Sequence, residues 1–217
     1  MLEVEGLSVR LGGFPILRGV SLKVKPGQVV GLIGPNGAGK TTTLRAIMGL
    51  VAAEGGKIRL DGTELGPLPA YRRARLGVGY MPEDRRLIGG LSVEDNLRLL
   101  GWAQKIPDFE ERLKAVYELI PELESLRRRP AAALSGGQQK LVALGRSFLG
   151  ARKLLLLDEP FEGLAPALAE RLLAGIRALK DRQPGLGILV CESGFDWVRR
   201  LADQIYPIER GETLPAA

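Results

Sequence analysis

The chain has 217 residues, 45% hydrophobic and 26% charged, a balance that supports one globular domain, with or without a small inserted subdomain, and argues against disorder as its main state. One cysteine and no histidine exclude an internal disulfide framework, a cysteine zinc site, a His-ligated metal and any Ser–His or Cys–His nucleophile pair. The net charge of +6 permits contact with an anionic surface, but the arginine clusters at 72–73, 85–86 and 127–129 have no interleaved aromatic residues, so a solvated basic face is expected and nucleic acid is not.

Residues 2–5 and 8–11 alternate apolar and polar, 12–15 reads as a turn, and 20–24 alternates again before the turn at Pro26-Gly27. With 57–60 and the following Asp61-Gly62 as a further hairpin edge, these segments predict a small antiparallel sheet. Residues 29–33, 154–157 and 187–191 are short continuous apolar runs, which suit a parallel sheet covered on both faces. Helical patterns lie between them at 41–50, from Ser92 with Asp95 at the capping-box position, at 108–120, at 135–149 and at 166–179. The order argues for an α/β fold, with residues 84–133 as a helical insertion that has no buried strand. No apolar run approaches the ~18 residues of a membrane span, and the acidic, alternating start after Met1 shows no secretory leader. Cys191 falls in an apolar strand and reads as core. Trp102 and Trp197 lie on helical patterns and read as core or interface anchors.

Gly34-Pro35-Asn36-Gly37-Ala38-Gly39-Lys40-Thr41 fits G-x-x-x-x-G-K-[ST], after an apolar strand and before a helix. Small residues let successive backbone N–H groups curl around a phosphate, and the helix start adds its positive dipole end. Lys40 would neutralise the β- and γ-phosphates, Thr41 would ligate Mg2+, and Thr42 would donate to another phosphate oxygen. Residues 154–160 place Asp158 at the carboxyl end of a buried strand, the ligand edge of such a sheet. Asp158 would serve Mg2+ through water, and Glu159 would polarise the attacking water.

A third element, Leu134-Ser135-Gly136-Gly137-Gln138, begins 94 residues after Lys40. It is another helix N-terminus, with Ser135 as cap, Gln138 at the capping-box position and two glycines that permit close approach to an anion. It resembles the signature of ATP-binding cassette (ABC) ATPases. The resemblance covers essentially the whole chain. It implies a P-loop NTPase (RecA-like) core with an N-terminal antiparallel β subdomain and an inserted α-helical subdomain, one domain over 1–217, with 1–83 and 134–217 as core and 84–133 as insertion. It further implies ATP hydrolysis with Mg2+, and a head-to-tail homodimer or heterodimer in which residues 135–138 reach the γ-phosphate held by the other chain.

Within that family the chain is similar to the shorter ATPase subunits of branched-chain amino acid importers and to related urea and amide importers. The residues that carry this are 82–87 with 91–97, then Leu144-Gly145-Arg146 and Gly163-Leu164-Ala165-Pro166. The resemblance implies polytopic permease subunits as partners, a place on the cytoplasmic face of the membrane, and Glu83 as an oxygen ligand to Mg2+ or water where many cassettes have Gln. A non-transport cassette acting on nucleic acid or ribosomes is the alternative. Two positions depart from the family pattern. Its adenine-stacking aromatic aligns with Leu11, leaving Phe14 as a substitute, and its switch histidine aligns with Ser193, which predicts slower hydrolysis. The end at Ala217, soon after Gly211, implies no regulatory extension.

Overall fold

The computed structural model describes residues 1–106 and 108–214. Its strands are β1 (Leu2–Leu11), β2 (Phe14–Val24), β3 (Val29–Ile33), β4 (Gly55–Leu60), β5 (Thr63–Glu64), β6 (Val78–Met81), β7 (Leu154–Asp158), β8 (Gly187–Glu192), β9 (Gln204–Glu209) and β10 (Glu212–Thr213). Its α-helices are α1 (Lys40–Met48), α2 (Ala70–Arg75), α3 (Val93–Gln104), α4 (Phe109–Leu119), α5 (Pro121–Leu126), α6 (Gly136–Gly150) and α7 (Pro166–Arg182). The smaller sheet is antiparallel, in the order β2-β1-β4-β5; the larger runs β10-β9-β3-β8-β7-β6. In the larger sheet every pair from β9 to β6 is parallel, and β10 closes one edge antiparallel to β9.

Period-two geometry explains why the central strands read as continuous apolar runs. Val29, Ile33, Leu155, Leu157, Ile188 and Val190 point into one core, shared with α3 to α7. Val30, Leu32, Leu154, Leu156, Leu189 and Cys191 point into the other, shared with α1 and the antiparallel sheet. Each leucine so buried contributes about 1.5–3 kcal/mol, and truncating Leu156 to Ala would cost about 2–5 kcal/mol.

The structure amends several expectations. The first turn is confined to Gly12 and Gly13, because Phe14 and Pro15 already pair with Leu11 and Arg10. β4 is interior, and β5 takes the edge position. β6, β9, β10, α2 and α5 carry little signal in the sequence. β6 has four residues, and Gly79 within it marks a close approach: a Cβ there would meet the Ser147 carbonyl oxygen of α6 at 2.2 Å. β9 contains Pro207, a residue that argues against a strand. α2 is short and arginine-rich, yet Arg73 is buried and donates to Ala46 O (2.7 Å) and Ile47 O (2.9 Å), capping the end of α1. Trp102 is 66% exposed on α3 and is no core anchor, whereas Trp197 stacks on Phe161 with ring centroids 5.5 Å apart. Among the described residues no helix is long and apolar enough to cross a membrane.

Candidate active site

The carboxyl ends of β3, β7 and β8 bring three loops to one edge of the larger sheet. The 34–39 loop leaves β3 and feeds α1, whose first residue is Lys40. Gly34 is required by packing: a Cβ there would lie 2.0 Å from the Ile208 carbonyl oxygen of β9. Gly39 takes φ 110° just before the helix, and the Ala38 N–H donates to Pro35 O at 3.1 Å. A cleft of about 360 Å3 opens against this loop, lined by Asn36, Gly37, Gly39, Lys40, Thr41 and Thr42, with Glu83, Glu159 and Glu162 facing them.

Lys40 is 4% exposed, and its ammonium has four oxygens in reach: Gly34 O (2.7 Å), Glu159 Oε1 (3.0 Å), Ser193 Oγ (3.1 Å) and Pro35 O (3.2 Å). The Ser193 hydroxyl, which accepts from Lys40, lies 2.8 Å from both Glu159 Oε1 and Asn36 Oδ1 and has one proton for the two. Ser193 therefore contacts the acid directly from the position where the family pattern has histidine.

Thr41 Oγ1 donates to Asp158 Oδ1 at 3.0 Å, and the Tyr80 hydroxyl donates to Asp158 Oδ2 at 3.4 Å. Burial pushes Asp158 up to about 6, opposed by the Thr41 hydrogen bond and reinforced by Glu83 and Glu159. The all-oxygen pair of Thr41 and Asp158 fits Mg2+, which is held in such sites by one or two carboxylates together with phosphate oxygens. Among the described residues no cluster of three or more His, Cys, Asp or Glu side chains offers a metal cage.

Glu159 has φ 49°, a left-handed conformation that costs a non-glycine residue about 1–3 kcal/mol. Its backbone is held from both sides. The Glu159 N–H donates to Cys191 O at 2.9 Å, and Lys140 Nζ, on α6, donates to Glu159 O at 2.8 Å and to Glu162 O. Lys140 is 4% exposed, and burial lowers its pKa. Glu192, at the end of β8, accepts the Phe161 N–H at 2.7 Å.

Residues 135–138 form the predicted capping box at the start of α6: the Gln138 N–H donates to Ser135 Oγ at 3.3 Å, and the Ser135 N–H donates to Gln138 Oε1 at 3.0 Å. Ser135 and Gly136 are exposed, and none of the four lines the cleft of its own chain. Gly137 packs under Leu168 of α7, where a Cβ would meet Cδ2 at 2.4 Å. Leu11 lines the cleft together with Ile16. Phe14 does not: it adjoins the Gly12-Gly13 turn at the hairpin tip, where its side chain is 74% exposed.

A second depression, a groove of about 580 Å3, lies between α1, β6, α3 and α6. Leu50, Val51, Tyr80 and Leu100 line it, with Arg86 and Arg146 among the charged residues. Arg146 donates to the carbonyls of Arg85 (2.6 Å) and Arg86 (2.8 Å), so α6 holds the loop that follows Glu83.

The family model for ABC transporters matches residues 17–162, which span the phosphate loop, the 135–138 capping box and Asp158. The chain belongs to the ABC transporter family. As an ATP-binding cassette of that family it is a transport-coupled ATPase. It is 41% identical, over 98% of its length and 75% of the relative's, to a probable ABC transporter ATP-binding protein of Azorhizobium caulinodans. It is 37% identical, over 99% and 91% respectively, to the high-affinity branched-chain amino acid transport ATP-binding protein BraG of Pseudomonas aeruginosa. It is 34% identical, over 98% and 88%, to the lipopolysaccharide export system ATP-binding protein LptB of Escherichia coli. A solved ATP-binding subunit of an ABC transporter superposes with a TM-score of 0.88 at 31% identity, covering all of this chain and 89% of that one. The fold is thus the expected P-loop cassette.

Four residues of this cassette's site had no sequence motif of their own. Ile16 enters the cleft from β2, Tyr80 reaches Asp158 from β6, and Lys140 and Glu192 meet the Glu159 segment only through the fold. Glu192, directly before the switch position, and Lys140, two residues after the capping box, were each within reach of a scan for acids and bases beside known motifs.

Proposed function

We propose that this cassette is the motor subunit of an importer for branched-chain amino acids or related small polar solutes. The observation that carries this reading is the likeness to BraG across nearly the full length of both chains. The comparable likeness to LptB favours a second reading, an export system for a lipidic cargo. Both readings put the chain on the cytoplasmic face of the membrane, held there by permease subunits.

In either case the hydrolytic chemistry is the same. Lys40 and the loop N–H groups of residues 34–39 position the ATP phosphates, with Thr42 donating to a further oxygen. Thr41, Asp158 and Glu83 hold Mg2+, which when bound neutralises charge developing on the phosphate oxygens. Glu159 orients the attacking water and takes its proton, while Ser193, bonded to Lys40 and Glu159, keeps the acid and the lysine in register. Leu11 and Ile16 offer the adenine an apolar edge in place of an aromatic stack.

Residues 135–138 act on a second cassette, identical or homologous, a role supported by their exposed, polar helix N-terminus, which does not line the cleft of its own chain. ATP at both shared sites favours the closed dimer, and loss of the γ-phosphate removes that preference. Residues 84–133 form the helical insertion, supported by α3, α4 and α5. The apolar groove between that insertion and the core takes a helix of the permease, and Tyr80 lies between the groove and Asp158.

The test is a tagged pull-down from detergent-solubilised membranes of the native source. Recovery of two polytopic subunits of an amino acid or amide permease supports import. Recovery of a lipid-exporting permease moves the assignment to the second reading, and recovery of ribosomal or DNA-processing proteins alone overturns both.

A further inference from the structure

Arg85 lies two residues after Glu83, in the connection between β6 and α3, and its conformation is a costly one. Its backbone is left-handed, with φ 61°, and so is that of Arg86, with φ 51°. Neither residue is glycine, and such strain persists only where the surroundings impose it. Arg146 imposes it by donating to both carbonyls. The Arg85 Nε–H is also buried without a hydrogen-bond partner, although buried donors are nearly always paired.

The same guanidinium is set against the start of α6. Its Nη1 donates to Gln139 Oε1 at 3.0 Å. The Gln139 amide in turn donates to the carbonyls of Ala131 (3.3 Å) and Leu134 (3.4 Å), on the chain that enters the capping box. Gly136, the first residue of α6, packs beneath the guanidinium: a Cβ there would stand 3.6 Å from Nη1. A cation beside a helix N-terminus is opposed by the helix dipole. Strain, an unmade bond and an unfavourable dipole therefore meet at one residue, and the contact they secure is the one with Gln139 and Gly136.

We propose that Arg85 is a positioning residue for the nucleotide-dependent dimer: its guanidinium holds Gln139 and the first turn of α6, and so presents residues 135–138 to ATP bound by a second cassette. This role rests on the reading that residues 135–138 act on a second chain. Its physical basis is preorganisation. The capping box orders the backbone of the helix start, but Ser135 and Gly136 are exposed, and the box does not fix where that start stands relative to the loop after Glu83. Arg85 and Arg146 fix it, because they fasten the loop to α6 at Gln139 and again about two turns further on. A helix start already held in place does not have to be ordered when the second chain arrives. The same fastening joins Glu83, which lines the cleft of its own chain, to the element that acts in the other cleft.

Methionine at position 85 keeps an extended side chain and supplies no donor. The experiment measures, by light scattering at saturating MgATP, the protein concentration at which half of the full-length chain is dimeric. It is made in the Glu159→Gln background, where slowed hydrolysis preserves the dimer. Adding Arg85→Met should raise that concentration about tenfold to a hundredfold, the weight of one hydrogen bond from a charged donor. The affinity of the dilute monomer for MgATP, read with a fluorescent ATP analogue, should stay within about twofold. Gln139→Met should weaken the dimer by a similar factor. Combined with Arg85→Met it should cost less than the product of the two, because the two residues share one bond. Should Arg85→Met fail to fold, Arg85→Gln, which stays polar and loses the reach, takes its place with the same expectation.

A half-dimerisation concentration within about twofold of the Glu159→Gln parent, in Arg85→Met or Arg85→Gln, overturns the proposal. So do losses at 85 and 139 that simply multiply, or a loss matched by an equal loss of MgATP affinity in the monomer, which would place the effect in the chain's own cleft. A Glu159→Gln parent that binds MgATP and stays monomeric is a different failure: it overturns the dimer reading, and the role of Arg85 with it.

Discussion

The phosphate cleft and the apolar groove are two depressions of one sheet, and they are built in opposite ways. The cleft takes most of its wall from one contiguous stretch, 36–42, and its polar side chains are tied to one another: Lys40 has four oxygen partners, Thr41 is on Asp158, and Ser193 lies between Asn36 and Glu159. The groove draws on α1, β6, α3 and α6 and the loop after Glu83, and its floor is apolar. The first is a site for chemistry, where preorganised donors act on developing charge. The second has the apolar lining expected of a surface awaiting a partner. Tyr80 belongs to both, lining the groove while its hydroxyl reaches Asp158.

The largest expected effect sharpens the chemical side. Glu159→Gln should lower kcat by about 10²–10⁴, the range for loss of a general base, with MgATP affinity retained. Lys40→Ala should cost about 10²–10³ in kcat/KM, as for removal of one strong donor to developing charge, measured by the same phosphate-release assay. A groove variant breaks the comparison from the other side. Leu50 is 56% exposed on the groove wall, and Leu50→Asp should abolish co-purification of permease subunits while the isolated ATPase stays within about twofold of wild type, as an exposed substitution remote from the cleft should. Loss of both activities together would show the two regions to be one.

Smaller effects follow from Ser193 and Glu192. Ser193→His should raise kcat by about fivefold, the rate equivalent of one additional hydrogen bond of about 1 kcal/mol in the transition state; unchanged turnover would contradict it. Glu192 has a folded-state pKa of about 7 against an ordinary value of 4.5, so the folded chain holds a proton that the unfolded chain has released. Stability from this group is therefore lost as pH rises through that window. The groups facing it are Glu159, whose Oε1 lies 3.0 Å from the Lys40 ammonium, and Lys140. The melting temperature of Glu192→Gln relative to wild type should rise from the acid to the alkaline side of neutrality, and a constant difference would count against a neutral acid at this position.

The parts of this molecule legible in the sequence are those whose physics is local. Residues 34–41 must be small and amide-rich around a phosphate wherever they occur, and Ser135 with Gln138 caps a helix by contacts three residues apart. The apolar runs at β3, β7 and β8 were readable because both faces of those strands are buried. What escaped was set by partners distant in sequence. β6 is a strand because β7 lies beside it, Arg73 is buried because α1 needs its end capped, and Phe14 stays outside the cleft because it stands in solvent beside the Gly12-Gly13 turn. The residues around Glu159 are of the same kind: Lys140 and Glu192 converge on the 159–162 segment from α6 and β8.

In the proposed function this chain holds half of each of two ATP sites, with residues 34–42 and 158–159 acting in its own cleft and 135–138 in a partner's. Light scattering of Glu159→Gln with and without MgATP tests it most directly. A monomer that becomes a dimer only when MgATP is added, and that Ser135→Arg returns to monomer, is the predicted result. A Glu159→Gln chain that binds MgATP and remains monomeric at every protein concentration would contradict it.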